Sequence, residues 1–481
     1  MKIKCIFCWL LIIYSVYCLA QELPGKPFSL PNPTDFLMNS IKDSANQPTL
    51  VRAINFFGNK KTKQFIIERE IAFETGIFYE REQLDKLIRQ TKEQLMNTAL
   101  FVTVDLHIDT LIEGEIDVNI EIKERWYLFP LPHFKIVDRN INVWINDFKA
   151  SLDRTELGAK ITHNNLSGRN DKMNLFVIGG YSQQIIANYY QPFIDKKLTQ
   201  GFGFGFSFAR AREVNVATDS NRQQFFSMPD FARKTIKAEV IYSYRKGSRM
   251  RSFFRASYNQ EQMDSAVIAQ NPKMFGDGRT SAQFIDLLAS YQYFNVDYIP
   301  YPLRGWFVDF YGLKRISGSI PMTQVGGRML ATWKFATKSY LNFQSAFAVT
   351  LSGREQPYFN SRMLGYRSLY MQGLEYYVAD GNMAAMIRTT LRREILAFTL
   401  KNLIRSKSHN EIPFQIFLKT YGNLGYAHSK NPGNNFMNNR LLSTAGFGVD
   451  IKMVYDLVMK LEYSYNQFGE RGFFIHTATD F

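Results

Sequence analysis

The chain has 481 residues, a formal charge of +15 and an aromatic content of 15%, with 41 Phe and 26 Tyr. Its three cysteines, Cys5, Cys8 and Cys18, all precede Ala20, so disulfides and thiolate-held metals are excluded from everything beyond. The positive excess suits acidic membrane lipid and lipopolysaccharide or, less aptly for an exported chain, nucleic acid.

Residues 1–20, "MKIKCIFCWLLIIYSVYCLA", carry two lysines, an apolar run and a small residue before Gln21. This is the pattern of a signal peptide cut after Ala20. The apolar run is too short for a spanning anchor. Residues 21–49, with Pro24, Pro27, Pro31 and Pro33, read as an extended leader.

A change of texture follows at residues 50–125. "LVRAINFFGNKKTK" is an apolar strand stopped by the turn pair Gly58-Asn59. A short helix is expected over 62–71 and a longer one over 79–97, with Leu84, Leu87, Ile88 and Leu95 on one stripe. Two alternating strands come next, one through Val102, Val104, Leu106 and Ile108, the other through Ile116, Val118, Ile120 and Ile122.

Residues 126–481 alternate with period two. In "GFGFGFSFAR", Phe202, Phe204, Phe206 and Phe208 share one face, and Gly201, Gly203, Gly205 and Ser207 the other. Leu457, Met459, Leu461, Tyr463 and Tyr465 likewise oppose Lys460, Glu462, Ser464 and Asn466. A soluble sandwich would alternate too, its apolar face turned inward. About sixteen such segments, from 127–137 to 472–481, favour a transmembrane barrel, since a single sandwich sheet seldom needs ~350 residues. The expected fold is therefore mostly β: an antiparallel transmembrane β-barrel of about sixteen strands behind a small N-terminal α+β domain. In the closing segment Phe473, Ile475, Thr477, Thr479 and Phe481 share a face, which places Phe481 at the interfacial belt.

The order strand, helix, helix, strand, strand over residues 50–125, with "INFFGNKKT" and "LMNTALFVTVDLHI", resembles a POTRA domain. A single POTRA module ahead of a sixteen-stranded barrel is similar to the BamA/TamA superfamily of outer-membrane insertases and translocases. The resemblance implies an outer-membrane barrel with its POTRA domain in the periplasm and unfolded outer-membrane or secreted proteins as clients. Periplasmic or lipoprotein partners would meet the chain at the POTRA domain. It implies no cofactor. The segment Val102, Val104, Leu106 and Ile108 is the candidate edge for β-augmentation by a client; the alternative is that the module only plugs or orients the barrel.

Members of that superfamily carry an Arg-Gly-aromatic motif on a lumenal loop between the eleventh and twelfth strands. Here "NSRMLGYRSLYMQGLEYY" matches at Gly365 and Tyr366, but Leu364 stands in the arginine's place and Arg367 lies next to the motif. The arginine's acidic partner on the thirteenth strand is replaced by Lys419 or Thr420. Losing both charges together is coherent, because a lone buried charge is costly. Arg388, Arg392 and Glu394 fall on the polar face of the twelfth strand, and Glu394 or Asp380 is the expected partner of Arg367.

In "FPLPHFKI", Pro130 and Pro132 lack the N–H groups a ladder requires. Either they weaken one side of the first strand, making a seam with the strand that ends at Phe481, or they merely precede it. No Gly-x-Ser-x-Gly, His-Glu-x-x-His, P-loop or clustered metal ligands are found in the sequence, so neither an enzyme nor a metal site is expected. A passive channel or structural barrel on the same fold is the main rival reading.

Overall fold

The computed structural model describes residues 48–112, 114–136, 149, 151–351, 355–366, 369–401 and 411–477. The signal peptide, nearly all of the leader, Arg367 and Phe481 lie outside the described residues.

The N-terminal domain is β1 (Thr49–Phe57), α1 (Gln64–Glu68), β2 (Phe78–Tyr79), α2 (Arg81–Asn97), β3 (Phe101–Ile112) and β4 (Glu115–Glu124). Its sheet runs β2-β1-β4-β3, with β1 and β4 parallel. Gly58, at φ +91°, ends β1; a Cβ there would lie 2.0 Å from the Ile122 carbonyl oxygen, which only glycine avoids. The helical stripe works as its spacing requires, with Leu84 and Leu95 buried against Val51, Phe101, Val104, Val118 and Ile120. Tyr79 belongs to β2, so α2 starts two residues later than the periodicity suggests.

The second unit is one sixteen-stranded antiparallel sheet. Its strands are β5 (Leu128–Ile136), β6 (Thr155–Asn164), β7 (Lys172–Gly180), β8 (Gln183–Gln191), β9 (Gln200–Ala211), β12 (Arg233–Tyr244), β13 (Met250–Met263) and β14 (Ser281–Val296). It continues through β15 (Gly305–Ile316), β16 (Met322–Ala336), β17 (Ser339–Thr350), β20 (Met383–Lys401), β21 (Glu411–His428), β22 (Leu442–Lys452), β23 (Val458–Asn466) and β24 (Arg471–His476). Each coincides with one of the sixteen alternating segments.

The exposure of the apolar face separates barrel from sandwich. Phe202, Phe204, Phe206, Val240, Phe254, Leu287, Phe310, Ile387, Phe447, Phe473 and Ile475 are all exposed, whereas Gly201, Gly203 and Gly205 are buried. An outward apolar band with a polar interior is the bilayer arrangement. The sheet curls on itself: the Phe129 ring at the start of β5 meets Tyr455, in the β22–β23 turn, edge to face at 5.8 Å.

The loop between β9 and β12 forms the hairpin β10 (Glu213–Asp219) and β11 (Arg222–Ser227). Ser220 and Asn221 turn it with φ of 51° and 58°, the two left-handed residues of a type I′ connection. The hairpin packs on the short helix α3 (Ser265–Gln270) through Val214, Val216, Val267 and Ile268. The loop between β17 and β20 holds the miniature ladder β18 (Arg362–Leu364) and β19 (Ala379–Asp380).

Candidate functional site

The loop between β17 and β20 folds into the lumen. Met363, Leu364, Leu369, Met371 and Leu374 bury themselves against Ala346, Ala348, Ala384, Met386, Ala427 and Leu442 of the wall. Leu364, 2% exposed, therefore contributes apolar packing where an arginine would bring a charge. Gly365 follows at φ +89°, and a Cβ there would lie 2.5 Å from the Tyr377 carbonyl oxygen. Tyr366 bridges to Leu369.

Charges on the wall hold the loop from beneath. Lys419 faces inward on β21, and its Nζ lies 2.5 Å from both Asp450 Oδ1 on β22 and Glu462 Oε1 on β23. All three side chains are buried. Arg392 lies 3.6 Å from Asp450 and stacks over the Tyr301 ring at 4.4 Å, while the Tyr301 hydroxyl donates to Asp450 at 2.8 Å. The charge missing from the expected acid position is thus inverted: a lysine on β21 is satisfied by acids on the next two strands. Thr420 points outward.

The loop joins this network at three points. Gln372 Nε2 donates to Glu462 Oε1 at 2.5 Å. Arg388 donates to the Tyr370 carbonyl and stacks over its ring at 4.4 Å. Glu375 Oε1 lies 3.4 Å from His476 Nε2. Arg388 thus touches the loop directly and Lys419 reaches it through Glu462, whereas Arg392 contacts Asp450 and Tyr301. Glu394 is elsewhere: it pairs with Lys338 at 3.2 Å across the β16–β17 turn, and Asp380 sits in the small ladder opposite Arg362.

From the end away from the N-terminal domain the β10–β11 hairpin caps the loop through Asn221, which is fully buried. Its Nδ2 donates to the Val378 carbonyl at 2.9 Å, and its Oδ1 accepts from Met437 N–H at 2.8 Å. Asn221→Ala removes these bonds and puts alanine in a left-handed conformation. We expect a cost of about 2–3 kcal/mol in closing the cap, read as more frequent open events in planar bilayers.

At the opposite end the N-terminal domain sits across the barrel mouth. Phe193, from the β8–β9 turn, is 2% exposed inside that domain's core. Glu70 lies 3.1 Å from Arg69 and 2.9 Å from Arg245 of the β12–β13 turn. Arg69 also donates to the carbonyls of Leu198 and Arg245 at 2.7 and 3.0 Å. Burial first, then the neighbouring Arg245, push the Arg69 guanidinium down to about 10. Asn97 accepts from Ile299 N–H at 2.9 Å, and Arg125 holds Asp456 with two bonds of 2.8 and 2.9 Å.

The two ends of the sheet are β5 and β24, with no ladder joining them among the described residues. Pro130 and Pro132 lie within β5, opposite Ile161 and Ala159. Asn164 N–H donates to the Tyr127 carbonyl at 2.7 Å, which fixes the ladder's phase. Antiparallel pairs alternate, so Phe129, Leu131 and His133 turn their backbone groups toward β6. The positions of Pro130 and Pro132 turn theirs away, toward the free edge. In the N-terminal sheet, β3 pairs only with β4; Val104 is buried, Val102 and Leu106 are half-buried and Ile108 is exposed.

Residues 49–125 match the POTRA family model, described as a surface antigen variable number repeat. A search of curated proteins returns no significant match. Among solved structures, the chain is similar to BamA from Haemophilus ducreyi lacking POTRA domains 1–3, at 14% identity over 94% of this chain and 93% of that one, TM-score 0.48. It is also similar to CdiB from Acinetobacter baumannii (12% identity, 97% and 85% covered, TM-score 0.44) and CdiB from Escherichia coli (9%, 90% and 75%, TM-score 0.49). The chain therefore carries a POTRA-family domain at residues 49–125 and, behind it, a sixteen-stranded antiparallel barrel sheet.

Proposed function

We propose that this protein moves client polypeptides at the outer membrane, as an insertase or translocase, with its POTRA domain on the periplasmic side. The observation that carries the reading is a POTRA domain docked under a barrel whose lumen holds an apolar loop, beside a sheet edge that two prolines deprive of donors. A client strand adds to the open edge of β3, where backbone groups provide affinity with little dependence on sequence. It then leaves along the edge of β5, where pairing with the closing strand is weakest. No catalytic step is required. Lipid and lipopolysaccharide surround the barrel, and further periplasmic or lipoprotein partners would dock on the exposed POTRA surface.

A passive channel is the competing reading, and the apolar plug built from Met363, Leu364, Leu369 and Met371 argues against it. The test is depletion of the protein with quantitative proteomics of the outer membrane, normalised to transcript levels. Broad loss of barrel proteins marks a general insertase, and loss of a few secreted proteins a dedicated translocator. An unchanged proteome overturns the proposal. In the same strain, a Pro130→Val/Pro132→Val variant restores two donors to the β5 edge. We expect it to assemble normally but to rescue client levels less well than the parent; equal rescue would remove the seam from the mechanism.

A further inference from the structure

Where the lumenal loop meets the last two strands, three side chains of metal-binding type converge. Glu375 comes from the loop, Glu462 from β23 and His476 from β24, each offering one ligand atom within 4.8 Å of the other two. His476 Nε2 lies 3.3 Å from Glu462 Oε2 and 3.4 Å from Glu375 Oε1. In a tetrahedral site with bonds of about 2.0–2.1 Å, ligand atoms stand about 3.3–3.4 Å apart. The imidazole nitrogen is therefore already at ligand spacing from both carboxylates.

A second observation points the same way. The Glu462 side chain is fully buried; its Oε1 is engaged by Lys419 and Gln372 at 2.5 Å each, while its Oε2 faces the His476 ring nitrogen at 3.3 Å. Glu462 Oε2 and His476 Nε2 have no hydrogen-bond partner among the described residues. A buried carboxylate oxygen without a well-formed hydrogen bond is costly, and this one faces the His476 nitrogen. The surrounding contacts hold the set in place as outer-sphere groups do in metal sites. Lys419 and Gln372 orient Glu462, and the Gly373 N–H bonds both Glu375 oxygens, at 2.8 and 3.0 Å.

We propose that Glu375, Glu462 and His476 form a binding site for a divalent transition-metal ion of the zinc type, with water completing its coordination. One imidazole nitrogen and two carboxylates suit zinc better than calcium or magnesium, which take oxygen ligands alone. The ion ties the plug loop to β24, the strand at the end of the sheet, and so fastens the plug beside the free edge. This site does not depend on the translocase reading and stands or falls separately.

The test uses the full-length protein in detergent micelles, stripped with chelator, dialysed against Zn²⁺ and assayed for metal by mass spectrometry. Folding of every sample is checked by heat-modifiable gel mobility. The expected result is one Zn²⁺ per chain, a higher thermal midpoint with Zn²⁺ than with chelator, and loss of both in Glu375→Gln and His476→Asn. Glu375 lies off the strand ladder, so its variant decides the matter if His476→Asn fails to fold. Folded wild type that retains no Zn²⁺ overturns the proposal and leaves an imidazole–carboxylate cluster. Zn²⁺ retained equally by Glu375→Gln also overturns it, since the ion then binds elsewhere.

Discussion

Lys419→Met is expected to destabilise the barrel by about 3–5 kcal/mol, because it removes the cation between two fully buried carboxylates. Nζ of Lys419 is 2.5 Å from Asp450 and from Glu462, and both acids are 0% exposed. Without it, Arg392 remains 3.6 Å from Asp450 and His476 3.3 Å from Glu462, and neither bridges the two acids as the lysine does. Urea unfolding in micelles measures the loss by linear extrapolation. The triple variant Lys419→Met/Asp450→Asn/Glu462→Gln should recover much of it, since removing a buried ionic group whole costs far less than breaking it. A single variant as stable as wild type would mean that water reaches the cluster, and the triad would not then be what fastens the loop to the wall.

Glu70→Ala should undock the POTRA domain. Glu70 is 1% exposed and is the acid between Arg69 and Arg245, at 3.1 and 2.9 Å. Deleting it leaves two guanidiniums facing each other at the domain junction, and Arg69 is already held down by burial. A loss of about 3–5 kcal/mol at the interface corresponds to opening enhanced on the order of 10²–10⁴-fold. Hydrogen exchange reads this directly in the Lys63 amide, which bonds the Gly168 carbonyl at 2.9 Å across the junction. Protection in the POTRA core, at Val118 and Ile120, should stay unchanged. Unaltered exchange at Lys63 would show that Phe193, buried in the POTRA core, holds the two units together without the ion pairs.

These two sites were legible in the sequence to very different degrees. Lys419 could be seen standing where an acid was expected, but its compensation could not, because Glu462 lies 43 residues away and reaches Lys419 across the intervening strand. Glu70 had no signal at all, since its second partner, Arg245, belongs to a barrel turn 175 residues on. The hairpin at 213–227 lies between two of the sixteen segments, where only Val214 and Val216 alternate and Ser220-Asn221 offers a turn pair. Its strands face loops rather than lipid, so their pattern is short. Glu375, Glu462 and His476 share no sequence spacing; one loop and two strands bring them together.

The architecture is legible in the local pattern of the chain. A strand with lipid on one side and a polar lumen on the other must alternate, so all sixteen strands announce themselves locally. The POTRA order is equally local, a matter of periodicity switching from two to 3.6 and back. Only the tertiary structure decided which charges meet inside the lumen, how the plug is held and where the domains dock. Those contacts depend on ladder register and on long-range closure of the sheet, and a shift of one residue would turn every one of these side chains to the other face.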